Sequence, residues 1–143
     1  MRFLDDPGQV AALRSARTIA VLGANPDPER AAYWIPEYLA SVGYRIIPVA
    51  TMEFGVDTIL GERVVRSVRE AGPVDLVSVF RKPADVSAHL ADLLDARPPL
   101  VWFQSGLLHG PSADILLTAG IAVAHACIGC RRAAISPATD PLW

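Results

Sequence analysis

The residues best suited to chemistry sit in short clusters, each just after an apolar run. The first is Gly23-Ala24-Asn25-Pro26-Asp27-Pro28-Glu29-Arg30. A glycine at such a turn lets backbone N–H groups approach a phosphate, and the helix start that follows favours negative charge. The dinucleotide fingerprint needs glycine at three positions. Gly23 supplies one, but Asn25 and Pro28 stand at the others, so G-x-G-x-x-G fails. The plainer alternative is a tight turn at Gly23 with no ligand. Asp27 reads as a turn or helix cap rather than a catalytic acid. Arg30, and Arg81-Lys82 after Phe80, supply positive charge. Arginine grips phosphate with two parallel donors, although most surface charges are simply solvated.

The other clusters narrow the chemistry. An NAD site places Asp or Glu after the second strand; here Val49-Ala50-Thr51 follows, with no acid before Glu53. Gln104-Ser105-Gly106 offers polar side chains to a ligand, and an ordinary turn fits equally well. His125-Ala126-Cys127-Ile128-Gly129-Cys130 contains Cys-x-x-Cys. That spacing suits a redox pair or half of a zinc site. There is no second cysteine pair, His89 and His109 are distant in sequence, and zinc needs three or four converging ligands. No metal is expected. A dithiol switch stays open, and the commoner fate is a small buried hydrophobe. No nucleophile elbow, Walker motif or zincin motif occurs, so no catalytic residue is assigned. Trp34, Tyr38, Trp102 and Phe103 read as core or rim packing, with Trp34 placed to cover a ligand beside the first loop.

These clusters must be positioned by alternating strands and helices. Asp6-Pro7 opens a helix to about residue 16, with Asp6 as cap. Residues 18–22 form a continuous apolar run, the mark of a strand buried on both faces. A helix over 32–42 ends at Gly43; Pro36 is tolerable there only within the first turn. Residues 44–49 read as the second strand and 60–65 as a turn with a brief edge strand. Ser67 caps a short helix to residue 71. Strands over 74–80, 100–103 and 121–124 alternate with helices from residue 83 or 85 to 95 and over 111–119. The expected architecture is a single-domain α/β doubly wound, Rossmann-like parallel sheet of about five to six strands with helices on both faces. In such a sheet ligands bind beyond the carboxyl ends of the strands, where the clusters lie. Residues 1–135 are assigned to this domain and 136–143 to an irregular tail.

Bulk composition agrees. A chain of 143 residues fits one domain. At 52% hydrophobic and 20% charged it can build a core. A net charge of −2 argues against nucleic acid. No apolar run is long enough for a membrane span, and acids at Asp5-Asp6 argue against a signal peptide. Two cysteines are too few for a disulfide scaffold, so a reducing cytoplasm is expected.

The clusters taken in order resemble the small stand-alone CoA-binding-domain family, relatives of the nucleotide-binding domain of succinyl-CoA synthetase. The stretches are Ile19-Ala20-Val21-Leu22-Gly23-Ala24-Asn25-Pro26 with Pro28-Glu29-Arg30, Gly43-Tyr44-Arg45-Ile46-Ile47-Pro48-Val49, Val74-Asp75-Leu76-Val77-Ser78-Val79-Phe80-Arg81-Lys82-Pro83 and Val101-Trp102-Phe103-Gln104-Ser105-Gly106. Gly61-Glu62-Arg63-Val64 fits between them, and Cys127 falls where the family often has a cysteine. The resemblance implies coenzyme A or an acyl-CoA as ligand. Phosphates would lie on Gly23, Ala24, Asn25 and Arg30. The turn Phe80, Arg81, Lys82 and Pro83 would border the nucleotide, with Ala50, Gln104, Ser105 and Gly106 around it. On this reading Cys127 lies beside the pantetheine thiol, within reach of a mixed disulfide. The chain departs from the family at Ala50-Thr51, where Asn-Pro is usual, at Ala32-Tyr33, where Ser-His is usual, and at Ile128-Gly129-Cys130, where a charged segment is usual. Three rivals remain: a ligand-free scaffold acting through a protein partner, an NAD(P)-dependent oxidoreductase, and a redox sensor built on Cys127 and Cys130. A homodimer is left open.

Overall fold

A computed structural model describes residues 2–135; the tail assigned to 136–143 lies outside them. Five parallel strands form the central sheet: β1 (Thr18–Leu22), β2 (Arg45–Val49), β5 (Leu76–Val79), β6 (Leu100–Phe103) and β7 (Ala122–His125), in the order β2-β1-β5-β6-β7. The expected sixth strand is not part of it. Residues of that segment form a separate two-stranded hairpin, β3 (Thr58–Ile59) with β4 (Glu62–Arg63). The segment hydrogen-bonds to the main sheet through Val65, whose N–H donates to the Pro48 carbonyl at 3.0 Å and whose carbonyl accepts the Ala50 N–H at 3.0 Å. Pro48 donates nothing to a ladder, and β2 is accordingly an edge strand.

The apolar runs are continuous because both faces are covered. Along β1, Ile19 and Val21 enter one core while Ala20 and Leu22 enter the other, as the two-residue repeat of a strand requires. Trp102 and Phe103 are neighbours in β6 and fully buried on opposite faces. Each contributes about 1.5–3 kcal/mol by leaving water. The Trp102 indole N–H donates to the Ala126 carbonyl at 3.0 Å, so its polar atom is satisfied.

One face carries α1 (Asp6–Ser15), α2 (Ala31–Ser41) and α7 (Ile128–Ala133). The other carries α3 (Val68–Ala71), α4 (Pro83–Val86), α5 (Leu90–Ala96) and α6 (Gly110–Thr118). Asp5 rather than Asp6 caps α1, accepting from the Gly8 N–H at 2.9 Å. Ser67 caps α3 as expected. The helix expected over 83–95 is broken in two by a 3₁₀ turn at Ser87–His89. Pro36 lies past the first turn of α2, so the Ala32 carbonyl loses its intrahelical donor.

Helix α7 was not expected. It packs against α2 and α1, and Gly129 makes the α2 contact possible: a methyl there would sit 3.1 Å from Ile35 Cγ2. The opposite sheet edge is also covered. Arg2 and Leu4 pair with β7, the Leu4 N–H donating to the Val123 carbonyl at 2.8 Å and the Val123 N–H to the Arg2 carbonyl at 2.9 Å. No helix among the described residues is long and apolar enough to cross a membrane.

Candidate functional site

From β1 the chain crosses to β2 on one side, then returns to β5 on the other side of β1. Strand order therefore reverses between β1 and β5, and doubly wound sheets bind ligands at the carboxyl ends of the strands there. A depression of about 380 Å³ opens at the opposite end of the sheet beside Asp75, Leu76 and Leu100. Its one acid, Asp75, already accepts the Arg17 and Thr18 amides at 2.8 Å each. Topology and chemistry therefore favour the carboxyl end over that hollow.

Two strand ends meet at that crevice. The Phe80 N–H donates to the Leu22 carbonyl at 2.8 Å. Gly23 has φ +96°, and a Cβ on it would lie 2.6 Å from the Phe80 carbonyl oxygen. Only glycine satisfies both constraints. The contact lays Arg81 over the first loop, its Cδ 3.2 Å from the same would-be Cβ. Arg81 Nε donates to His89 Nε2 at 3.1 Å, and Asp85 lies 3.7 Å from its Nη2. Burial, and then the Arg81 charge, hold the His89 pKa below its ordinary 6.5. The neutral ring accepts from Arg81 and anchors it.

The first loop is braced by its own side chains. Asn25 Oδ1 accepts the Asp27 N–H at 2.9 Å, and Asp27 Oδ1 accepts the Glu29 N–H at 3.0 Å. Arg30 is exposed, 3.8 Å from Asp27. The expectation that the Gly23 and Ala24 amides hold phosphate needs correction. Both donate to the Val49 carbonyl, at 2.9 and 3.2 Å, so they fasten the turn to β2. The amides at the start of α2, on Ala31 and Ala32, have no carbonyl within the helix to bond, and Arg30 makes no side-chain cap there. The start of α2 therefore offers donors beside the Arg30 guanidinium.

Around the rim, Ala50 is buried and its N–H donates to Val65. Lys82 is exposed and precedes Pro83, the first residue of α4. Gln104 is nearly buried, and its Oε1 accepts the Ile128 N–H at 3.1 Å. Its side-chain carbonyl therefore caps α7 instead of orienting a ligand. Ser105 is exposed. Gly106, at φ +82°, donates its N–H to His125 Nε2 at 3.1 Å. The structure thus brings Gly23 against Phe80 and Arg81 at the β1–β5 crevice, with Ala24, Asn25 and Arg30 following in the first loop. Gln104, Ser105, Gly106 and Cys127 stand farther along the same edge, after β6 and β7.

Two functional candidates carried no assigned role in the sequence: His89 and His125. His125 ends β7, where the strand-end rule applied to it; nothing in the sequence ties His89 to Arg81. The two cysteines are not small buried hydrophobes. Cys127 is half-buried, Cys130 is exposed, and a disulfide joins them. Trp34 does not cover the first loop. It is 50% exposed and borders a shallow apolar groove beside the cysteine pair. No group of three or more His, Cys, Asp or Glu residues converges as a metal site among the described residues.

Comparison with known proteins agrees with this architecture. A solved structure from Thermus thermophilus is 40% identical and superposes with a TM-score of 0.85, covering 91% of this chain and 98% of that one. A hypothetical protein from Pyrococcus horikoshii OT3 is 27% identical with a TM-score of 0.81, covering 91% of each chain. The uncharacterized protein YneT of Bacillus subtilis (strain 168) is 32% identical over 123 residues, which is 80% of this chain and 89% of that protein. The family model described as CoA binding domain matches residues 17–133, from the residue before β1 to the end of α7. With four-fifths of the sequence and the whole central sheet inside that match, the chain belongs to the CoA binding domain family.

Proposed function

We propose that this protein binds coenzyme A or an acyl-CoA at the carboxyl ends of β1 and β5, as a binding module with no reaction assigned. The observation that carries the reading is the closure of Gly23 on Phe80. It places Arg81 over the first loop, at the point where the strand order reverses. In this reading Arg81 meets the diphosphate, aided by the α2-start amides and by the exposed Arg30 and Lys82. Family membership supports coenzyme A as the ligand. The missing acid after β2 argues against NAD. A cytoplasmic location belongs to the same proposal.

A thermal-shift screen with CoA, acetyl-CoA, NAD, NADP and ATP tests it. A ligand at 100 times its Kd adds about 2.7 kcal/mol of stability. The expected outcome is a shift with CoA species only, lost in Arg81→Ala. Equal shifts with every nucleotide would reduce the site to a general phosphate cradle. No shift at all would leave a scaffold that works through a protein partner.

A further inference from the structure

We propose that Cys127 and Cys130 form a redox-active pair that exchanges with a low-molecular-weight thiol bearing a short apolar arm. This goes beyond nucleotide binding and does not depend on it. The two Cα atoms are 5.2 Å apart, within the span that disulfides bridge. The two residues differ in exposure, Cys130 being exposed and Cys127 half-buried, which favours attack at Cys130. An incoming thiolate reaches Cys130 Sγ. Its attack forms a mixed disulfide on Cys130 and expels Cys127 as the thiolate. That sulfur already accepts the Cys130 N–H at 3.2 Å, a contact that strengthens when the acceptor is charged. A second small thiolate then attacks the small-molecule sulfur of the mixed disulfide and releases Cys130. In sum, the protein disulfide and two thiols give the protein dithiol and one small disulfide. The reverse reaction uses that same small disulfide as oxidant.

The backbone around the pair is held by other contacts, so the bond can open without losing the fold. Ile128 is fully buried. Its N–H is capped by Gln104. Gly129 packs on Ile35. Arg131 is tied to Gln9 at 3.0 Å and to Asp6 at 2.9 Å. After reduction the two thiols stay neighbours, which favours reclosure. Beside them runs a groove of about 230 Å³, lined by Trp34, Ile35, Tyr38 and Ala133 with the two cysteines. That is smaller than the roughly 300–1,000 Å³ of pockets that hold drug-sized ligands. It suits the carbon arm next to a small thiol, which would lie along Trp34 while its sulfur meets Cys130.

The test is a redox titration of the full chain in mixtures of reduced and oxidised glutathione, quenched by alkylation and read by mass. The expected result is a change from two alkyl adducts to none within the range of the mixtures, with Cys127→Ser retaining a glutathione adduct on Cys130. Thiols that never oxidise, or a disulfide that never opens in excess reduced glutathione, overturn the proposal. So does opening by a thioredoxin-type protein alone. The groove has its own arm. The opening rate with 1-propanethiol is divided by that with ethanethiol, in the natural chain and in Trp34→Ala. Burying one methylene is worth about fourfold in the rate ratio, and Trp34→Ala should lose that factor. An unchanged ratio removes the apolar arm from the proposal.

Discussion

Gly23 bears two constraints at one residue. Its φ of +96° suits glycine, and any Cβ would press within 2.6 Å of the Phe80 carbonyl. The Gly23→Ala variant should lose about 1–3 kcal/mol of stability from the backbone conformation alone. The clash must also part β1 from β5, so CoA binding should fall further than stability does. Urea unfolding paired with ligand titration separates the two effects. His89 makes a pH prediction at the same scale. The unfolded chain protonates it near pH 6.5, and the folded chain only at lower pH. Its contribution to stability is therefore intact above about pH 6.5 and is lost as pH falls through that window. Protonation also removes the acceptor of Arg81 Nε, so nucleotide affinity should drop in the same range. The pH profile of affinity in His89→Gln should be flatter than that of the natural chain.

At the scale of elements, α7 is held by a side chain from another strand end. Removing the Gln104 carbonyl in Gln104→Leu leaves the Ile128 N–H without its partner. The expected cost is about 1 kcal/mol, with faster hydrogen exchange across 128–133 and none of note in β1. The strands were legible in the sequence because a sheet covered on both faces demands nearly continuous apolar runs; four of the five have an unbroken one, and β5 is interrupted only by the buried Ser78. Helix α7 was not, because its cap is a cysteine and its anchor, Gln104, lies 24 residues away. The site was legible in part for the same reason. Strand ends can be read from where apolar runs stop, and Gly23, Phe80 and Arg81 do follow the ends of β1 and β5 in the structure. What their backbone groups bond to depends on how the strands lie side by side. Nothing near Gly23 in sequence announces that its N–H reaches Val49.

Over the whole molecule, the two cores share a single sheet, and β6 sends Trp102 into one and Phe103 into the other. Neither core can melt without stripping a face from the same strands, so unfolding should be cooperative. Denaturant transitions followed by Trp102 fluorescence, with Trp34 and Trp143 replaced by Phe, should coincide with those followed by far-UV circular dichroism. Separate midpoints would mean that one helical layer detaches before the sheet fails.

The pairing of Arg2 and Leu4 with Val123 bears on how the chain is made. Residues 2–4 leave the ribosome more than a hundred residues before their partner strand, so they must wait, unpaired, through most of translation. Until they arrive on β7, that strand presents an open row of amides and carbonyls to any neighbour. Crowded synthesis should therefore favour exchange of this short segment between nascent copies. A peptide matching residues 2–4, or a bulky tag fused ahead of them, would change the yield of soluble protein without touching the ligand site.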